Sequence, residues 1–270
     1  MDWRDDMSDL MLQIIKKDGT VAASKSDNTE VGLVYESAYE DGDFIELQCE
    51  KSGSYLVIQL DDAIGASFVY IKGNMVRFEV PFGEKKSCYS PKSFSGEKHL
   101  LYARFARMDE IESYKNVCLN KYDQHGQVEV YPHAWANVET RGESVFAAKN
   151  AINGNCENHS HGAWPYESWG INCNDDACIL IEFGRMVEVD QIRMYTRSDF
   201  PHDNWWTSVL VTFSDESNIL WNLEKTDKAH ELTFDKRKVS WVRLDHLIKA
   251  EDPSPFPALT QFEVYGKEII

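Results

Sequence analysis

Residues 193–213 read Arg-Met-Tyr-Thr-Arg-Ser-Asp-Phe-Pro-His-Asp-Asn-Trp-Trp-Thr-Ser-Val-Leu-Val-Thr-Phe. Two runs that alternate apolar and polar residues flank a polar loop, which is the period-two pattern of half-buried strands. The loop gathers Arg197, Asp199, His202, Asp203, Asn204, Trp205 and Trp206. Hydrogen-bonding side chains beside flat apolar rings suit a ligand with hydroxyls on its edge and C–H bonds on its face. A loop of this chemistry held between two strands is expected to be a binding site on a rigid β scaffold. Trp205 and Trp206 adjoin the second strand, so alternation sends one indole to the core and the other outward.

The same patterning extends in both directions. Tyr55–Leu60, Ser67–Lys72 and Val76–Val80 precede the stretch; Ile179–Phe183, Gln191–Tyr195, Ser208–Phe213 and Trp241–Asp245 surround it. All are rich in β-branched and aromatic residues and are separated by Asp, Gly and Asn. Helical periodicity is nearly absent. Met7–Lys17, with Leu10, Met11, Ile14 and Ile15, reads as a short amphipathic helix or an opening strand. Many short strands between frequent turns predict an all-β, antiparallel sandwich architecture. Segments 54–73 and 177–197 share the order strand, acidic or glycine turn, strand, basic residue, which predicts two related jelly-roll sandwiches in tandem. The polar stretch 120–127 sets the boundary, with an N-terminal β-sandwich over 1–122 and a second over 123–270.

Charge narrows the partners. With 28 basic and 45 acidic side chains the net charge is 28 − 45 = −17. That balance argues against nucleic acid and anionic membrane, whose phosphates need a basic face. No apolar run is long enough for a membrane span. The start, Met1–Asp6, is charged and lacks an apolar h-region, so a cytoplasmic location is expected, or an extracellular one if the start is truncated. Six scattered cysteines without a CxxC pair read as reduced thiols; Cys173 and Cys178 flank one turn and would pair in an exported protein. No phosphate loop, nucleophile elbow or HExxH occurs. A glycosidase needs two facing carboxylates, yet Asp199 and Asp203 share one loop. The expectation is therefore a protein that is not an enzyme.

Four segments carry a family resemblance: Ala147-Ala-Lys-Asn-Ala-Ile-Asn-Gly-Asn155, Ile179-Leu-Ile-Glu-Phe-Gly184, Val189-Asp-Gln-Ile-Arg-Met-Tyr-Thr-Arg197 and Gln261-Phe-Glu-Val-Tyr-Gly266. In this order and spacing, about residues 128–266 resemble the discoidin domain, also called the coagulation-factor type C domain, of the galactose-binding-like superfamily. The first half resembles the superfamily only in pattern. The resemblance implies a jelly roll of about eight strands with ligands bound by loops at one end: sugars in most members, phospholipid or protein in other branches. It also implies a structural calcium held by an Asp in the opening turn and a Glu near the last strand. Here those positions are Asn153 and Gln261. Calcium affinity depends on carboxylate charge, so Asn153, Asn155, Asn158 and Gln261 are weak calcium candidates. An empty site is favoured, and no other cofactor is implied.

A second loop, 158–170, adds His159, His161, Trp164 and Trp169. Either indole suits stacking, although Trp169 suits equally a plug in the sandwich end; Trp164, before Pro165, reads as exposed. His159, His161 and His202 form an alternative zinc set without a supporting Cys or carboxylate. Arg197 either donates to ligand hydroxyls in bidentate fashion or pairs with Asp199 or Asp203. The proline-rich 252–258 brings Phe256 to the loop end or merely stiffens entry into the last strand. The expected ligand set is His159, His161, Trp164, Arg197, Asp199, His202, Asp203, Asn204 and Trp205, in a non-catalytic carbohydrate-binding protein. A protein partner held by the same loops is the alternative, and a glycan-processing enzyme is the least supported. The reading depends on loops 158–169 and 197–206 meeting at one end of the second sandwich.

Overall fold

The computed structural model describes residues 9–127, 129–198 and 203–270, so the expected site residues Asp199 and His202 lie outside the described residues. Leu10, Leu12 and Ile14 are fully buried while their neighbours are only half-buried, so Leu10–Ile15 (β1) is a strand. Strands Val21–Asp27 (β2), Glu30–Tyr35 (β3), Phe44–Cys49 (β4), Ser54–Gln59 (β5), Ser67–Ile71 (β6), Met75–Glu79 (β7) and His99–Phe105 (β8) follow. A short helix, Met108–Glu112 (α1), and strands Lys115–Asn116 (β9) and Val130–Tyr131 (β10) lead into the second half. Two antiparallel sheets result, ordered β2-β1-β4-β7 and β10-β6-β5-β8-β3. Their inner faces share one apolar cluster that includes Leu12, Leu47, Ile58, Val69, Phe78 and Leu101.

The second half is built from His133–Ala136 (β11), Trp169–Gly170 (β12), Ile179–Thr196 (β13), Trp206–Phe213 (β14), Asn218–Asn222 (β15), His230–Lys249 (β16) and Ala258–Glu268 (β17). They form one antiparallel ladder, β12-β17-β13-β16-β14-β15, with β11 on β13 and β9 on β17. The runs Ile179–Phe183 and Gln191–Tyr195, which read as separate strands, are the two arms of β13. The ladder skips from Glu182 to Val187, and Gly184 sits there at φ +69°. Such an interruption bends a strand without ending it. Its first arm pairs with β11 and its second with β17. The single ladder thereby wraps one cluster containing Trp169, Phe183, Met194, Trp206, Phe213 and Phe262. By contrast 54–73 is a true hairpin, β5 against β6, so the pattern shared with 177–197 does not extend to local structure.

Around the expected boundary near residue 122 the chain alternates between the two cores. Val117 and Cys118 pack in the second cluster, whereas Tyr122 and Val130 pack in the first. Several contacts close the seam. Arg185 donates from Nε and Nη2 to Glu268 at 2.9 and 2.6 Å, and its guanidinium lies 5.8 and 5.5 Å from the rings of Tyr55 and Tyr70. Elsewhere Ser144 N–H donates to Glu84 Oε1 at 2.7 Å, and Trp164 N–H donates to Ser87 O at 2.9 Å. All six cysteines are free thiols. Among the described residues no helix is long and apolar enough to cross a membrane.

One buried pair in this connection makes stability pH-dependent. His133 Nδ1 lies 2.7 Å from Asp123 Oδ1, and Asp123 Oδ2 accepts the Ala134 N–H at 2.9 Å. Burial alone lowers the His133 pKa, but the hydrogen bond and charge of Asp123 outweigh it, so the value rises above 6.5. A folded-state pKa raised in this way gives stability that is whole below the unfolded value and is lost as pH rises through the folded one. Melting temperature is therefore expected to fall across the window above pH 6.5 more steeply in the native chain than in Asp123→Asn. Parallel pH profiles for the two proteins would show that the pair does not set the pH dependence of stability.

Candidate functional site

The register of the second ladder defines one end of the sandwich. Thr196 at the end of β13 faces Leu259 at the start of β17, and Trp206 at the start of β14 faces Lys249 at the end of β16. Arg197 emerges at this end directly after β13, its N–H donating to Ala258 O. Its side chain is only 4% exposed, and Nε lies 3.0 Å from Asp203 Oδ2. Burial pulls the Arg197 pKa down, and the Asp203 carboxylate opposes that. Among the described residues no hydrogen bond reaches Arg197 Nη1.

The guanidinium stands in the wall of a pocket of about 260 Å³, together with Thr140, Arg141, Phe146, His161, Asp203 and Phe256. Phe146 has Arg197 on it at 5.9 Å and Arg141 at 5.4 Å. The floor needs Gly170, because a Cβ there would lie 2.5 Å from Thr140 Oγ1. That hydroxyl also accepts the Asn172 N–H at 3.0 Å, tying two loops together. Arg141, Asn172 and Cys173, all at the pocket, have φ of +54, +50 and +56°. Left-handed backbone at residues other than glycine costs energy and concentrates where a site imposes it.

The structure places the expected residues as follows. His161, Arg197 and Asp203 line this one pocket, and Phe256, 48% exposed, joins them. Trp164 is exposed as expected but does not line it; it faces a second cleft, because its N–H bond to Ser87 O draws the turn onto the first half. His159 is exposed and pairs with Glu157 at 3.7 Å, away from the pocket lining. Asn204 builds the loop instead of facing the pocket: it is buried, with Nδ2 donating to Ala250 O at 3.1 Å and Ser254 O at 2.8 Å. Trp205 is half-buried beside it, its carbonyl accepting the Ala250 N–H. Trp206 and Trp169 are core, the latter donating from Nε1 to Val138 O at 2.9 Å. Among the described residues the carboxylate–imidazole grouping with metal-like geometry is Asp61, Asp62 and His99, not His159 with His161.

Arg141 and Phe146 escaped sequence reasoning. The only local signal was the Thr-Arg-Gly-Glu turn that puts Arg141 in the left-handed region.

At the opening turn the amides are already engaged. Asn153 Oδ1 accepts the Asn155 N–H at 2.8 Å, Asn155 Oδ1 accepts the Glu157 N–H at 3.1 Å, and Gln261 Oε1 accepts the Gly154 N–H at 3.2 Å. Asn158 Nδ2 donates to Thr196 O and Asp227 O. The nearby carboxylate, Glu167, takes Nδ2 donors of both Asn153 and Asn155 on Oε1. Calcium takes oxygen ligands; the oxygens of Asn153, Asn155 and Gln261 each accept a backbone N–H, while Glu167 Oε2 is buried with no hydrogen-bond partner among the described residues.

No family model and no curated protein matches the chain. Similar solved structures are carbohydrate-binding modules and lectin domains. A chitosan-binding module of a chitosanase/glucanase from Paenibacillus sp. IK-5 is 19% identical, covering 56% of this chain and 98% of its own, with a TM-score of 0.40. The family 32 module of NanJ from Clostridium perfringens, solved with galactose, is 19% identical over 49% of this chain and 91% of its own, at 0.38. The lectin domain of lectinolysin, solved with Lewis B antigen, is 15% identical over 57% and 98%, at 0.41.

Proposed function

We propose that the chain is a non-catalytic carbohydrate-binding protein whose site is the pocket walled by His161, Arg197, Asp203 and Phe256. The observation that carries this reading is a buried guanidinium, fixed by a carboxylate at 3.0 Å, beside an exposed phenyl ring. A guanidinium fork donates to neighbouring hydroxyl oxygens, a carboxylate accepts a hydroxyl proton, and an imidazole does either. Phe256 supplies the plate for a pyranose C–H face. The ion pair pre-orients the fork, so little ordering is left for binding. Among the described lining residues Asp203 is the single carboxylate, whereas glycoside hydrolysis takes two. Because stripping water from sugar hydroxyls offsets most of the contacts, affinity on the order of 1 mM, about −4 kcal/mol, is expected for one sugar unit.

Cys173, exposed in the pocket wall, provides a test that does not depend on mutating the ion pair. A glycan array identifies the sugar, and peptide mapping then follows maleimide labelling of Cys173. Bound sugar is expected to slow that labelling, and Phe256→Ala to weaken array binding by about tenfold, the loss of one aromatic contact. A silent array, with labelling indifferent to every saturating sugar tried, would overturn the reading.

The opening turn is proposed to hold its shape through the amide hydrogen bonds alone. Since a ligand of the native state raises stability by mass action, neither calcium nor a chelator should move the melting temperature. A rise that tracks calcium concentration would reverse this.

A further inference from the structure

A cleft of about 590 Å³ opens at the seam between the two cores, lined from the first half by residues 63–64 and 88–93 and from the second by 149–167. We propose that this cleft is a second ligand site for a carboxylated pyranose, a uronic-acid unit, with Trp164 as its plate and Lys92, Lys121 and Lys149 as its counter-charge.

The volume lies within the range of about 300–1,000 Å³ usual for small-molecule sites. Trp164 is 42% exposed, and its turn is fixed on both sides: its own N–H binds Ser87 O, and Asn155 Nδ2 donates to Pro165 O. An indole held rigidly at a cleft wall covers a sugar face with little loss of freedom. Charge selects the kind of sugar. In a chain with 45 acidic and 28 basic side chains, this lining carries three lysines against two carboxylates, Asp123 and Glu167. Asp123 is occupied by His133 and the Ala134 N–H, and Glu167 takes the two asparagine amides on Oε1, while its buried Oε2 has no hydrogen-bond partner among the described residues. Burial also raises the Glu167 pKa above its ordinary value, against the hydrogen bonds it accepts.

The ammonium groups are less fully used. Lys149 Nζ donates to Cys88 Sγ and Tyr89 OH, both at 3.2 Å, and an ammonium has three donors. Lys121 Nζ reaches Ile64 O at 3.4 Å. Lys92 is exposed, and among the described residues its ammonium has no ion pair. Ser93 Oγ, in the same wall and fully buried, has no hydrogen-bond partner among the described residues. A neutral pyranose would leave the ammonium cluster unanswered, and a bare phosphate would leave Trp164 uncovered; lysines act as point charges suited to a lone carboxylate. The linings of this cleft and of the Arg197 pocket share no residue, so either site can fail while the other stands.

The test titrates the full chain with sodium D-galacturonate and, separately, D-galactose, followed by saturation-transfer NMR and indole fluorescence. Galacturonate is expected to bind saturably and more weakly as salt rises. Trp164→Ala and Lys92→Glu should each weaken it by about tenfold, one aromatic contact or one charge pair, while Phe256→Ala leaves it unchanged. Lys92 lies on the surface, so its variant reports even if Trp164→Ala misfolds. The proposal is overturned if galacturonate does not bind, if binding survives Lys92→Glu, or if Phe256→Ala abolishes it. Equal competition by tri-glutamate would assign the cleft to acidic peptide instead.

Discussion

Arg185→Ala is expected to lower the free energy of unfolding by about 3–5 kcal/mol, the range for stranding one member of a buried ion pair. The side chains of Arg185 and Glu268 are 7 and 0% exposed, and two N–H groups of one meet both oxygens of the other. Without the guanidinium, the cation left to Glu268 among the described residues is Lys115, 3.7 Å away, with the Tyr55 hydroxyl as a neutral partner. That lysine compensates poorly, since its own burial already pulls its pKa down despite the pull of Glu268. Tyr55 across the seam feels the same enclosure: burial, and next the Glu268 charge, push its phenol up to about 12. A specific rescue is expected. Arg185→Met combined with Glu268→Leu leaves no buried charge, so urea denaturation should place the double variant closer to the native chain than the single one. If the double variant is as unstable as Arg185→Ala, the pair matters through packing on Tyr55 and Tyr70 rather than through charge.

The strands were legible because burial on one face leaves a period of two. The buried Trp206 and half-buried Trp205 show it, whereas Leu10–Ile15, apolar also at Met11 and Ile15, reads equally as a helix and alternates only in its burial. The bend in β13 was not legible, because Gly184 looks the same in a bulge as in a turn; what distinguishes them is pairing with residues far along the chain. At the site, sequence offered Arg197 either a ligand or a loop carboxylate, Asp199 or Asp203, and the structure puts Asp203 at 3.0 Å. Arg141 and Phe146 could not be read from sequence, since Thr140 and Gly170 bring them in by contacts with no sequence pattern. Trp164 shows the reverse. Its exposure was readable from the neighbouring proline and glycine, but which cleft it faces is decided by one hydrogen bond to Ser87. The opening turn was half readable: the missing carboxylates were visible at Asn153 and Gln261, while Glu167 as acceptor for the two asparagines was not.

Gly266→Ala is expected to cost more than about 3 kcal/mol, beyond ordinary overpacking of a core, because the added methyl meets backbone. A Cβ at Gly266 would lie 2.1 Å from Glu188 O and 2.9 Å from Val189 Cα. A side chain in that place would turn aside at modest cost, whereas a carbonyl in the ladder moves only with its strand. Gly266 pairs with Val189 on one side and Lys115 on the other. β17 is thus held between β13 and β9, and neither direction offers room. The register also shifts between Val189 and Gln191, right beside the contact, so the close approach is part of how the ladder turns round its core. Gly32→Ala is the matched control: it lies in β3 with nothing within 4 Å of its would-be Cβ. Replacing a strand glycine in open space removes unfolded-state freedom and is worth up to about 1 kcal/mol of added stability. Urea denaturation of the two variants should therefore separate them in opposite directions from the native midpoint. Should Gly266→Ala unfold within about 1 kcal/mol of the native protein, as a surface change does, β13 and β17 would not be in the close backbone contact on which the second sandwich is built.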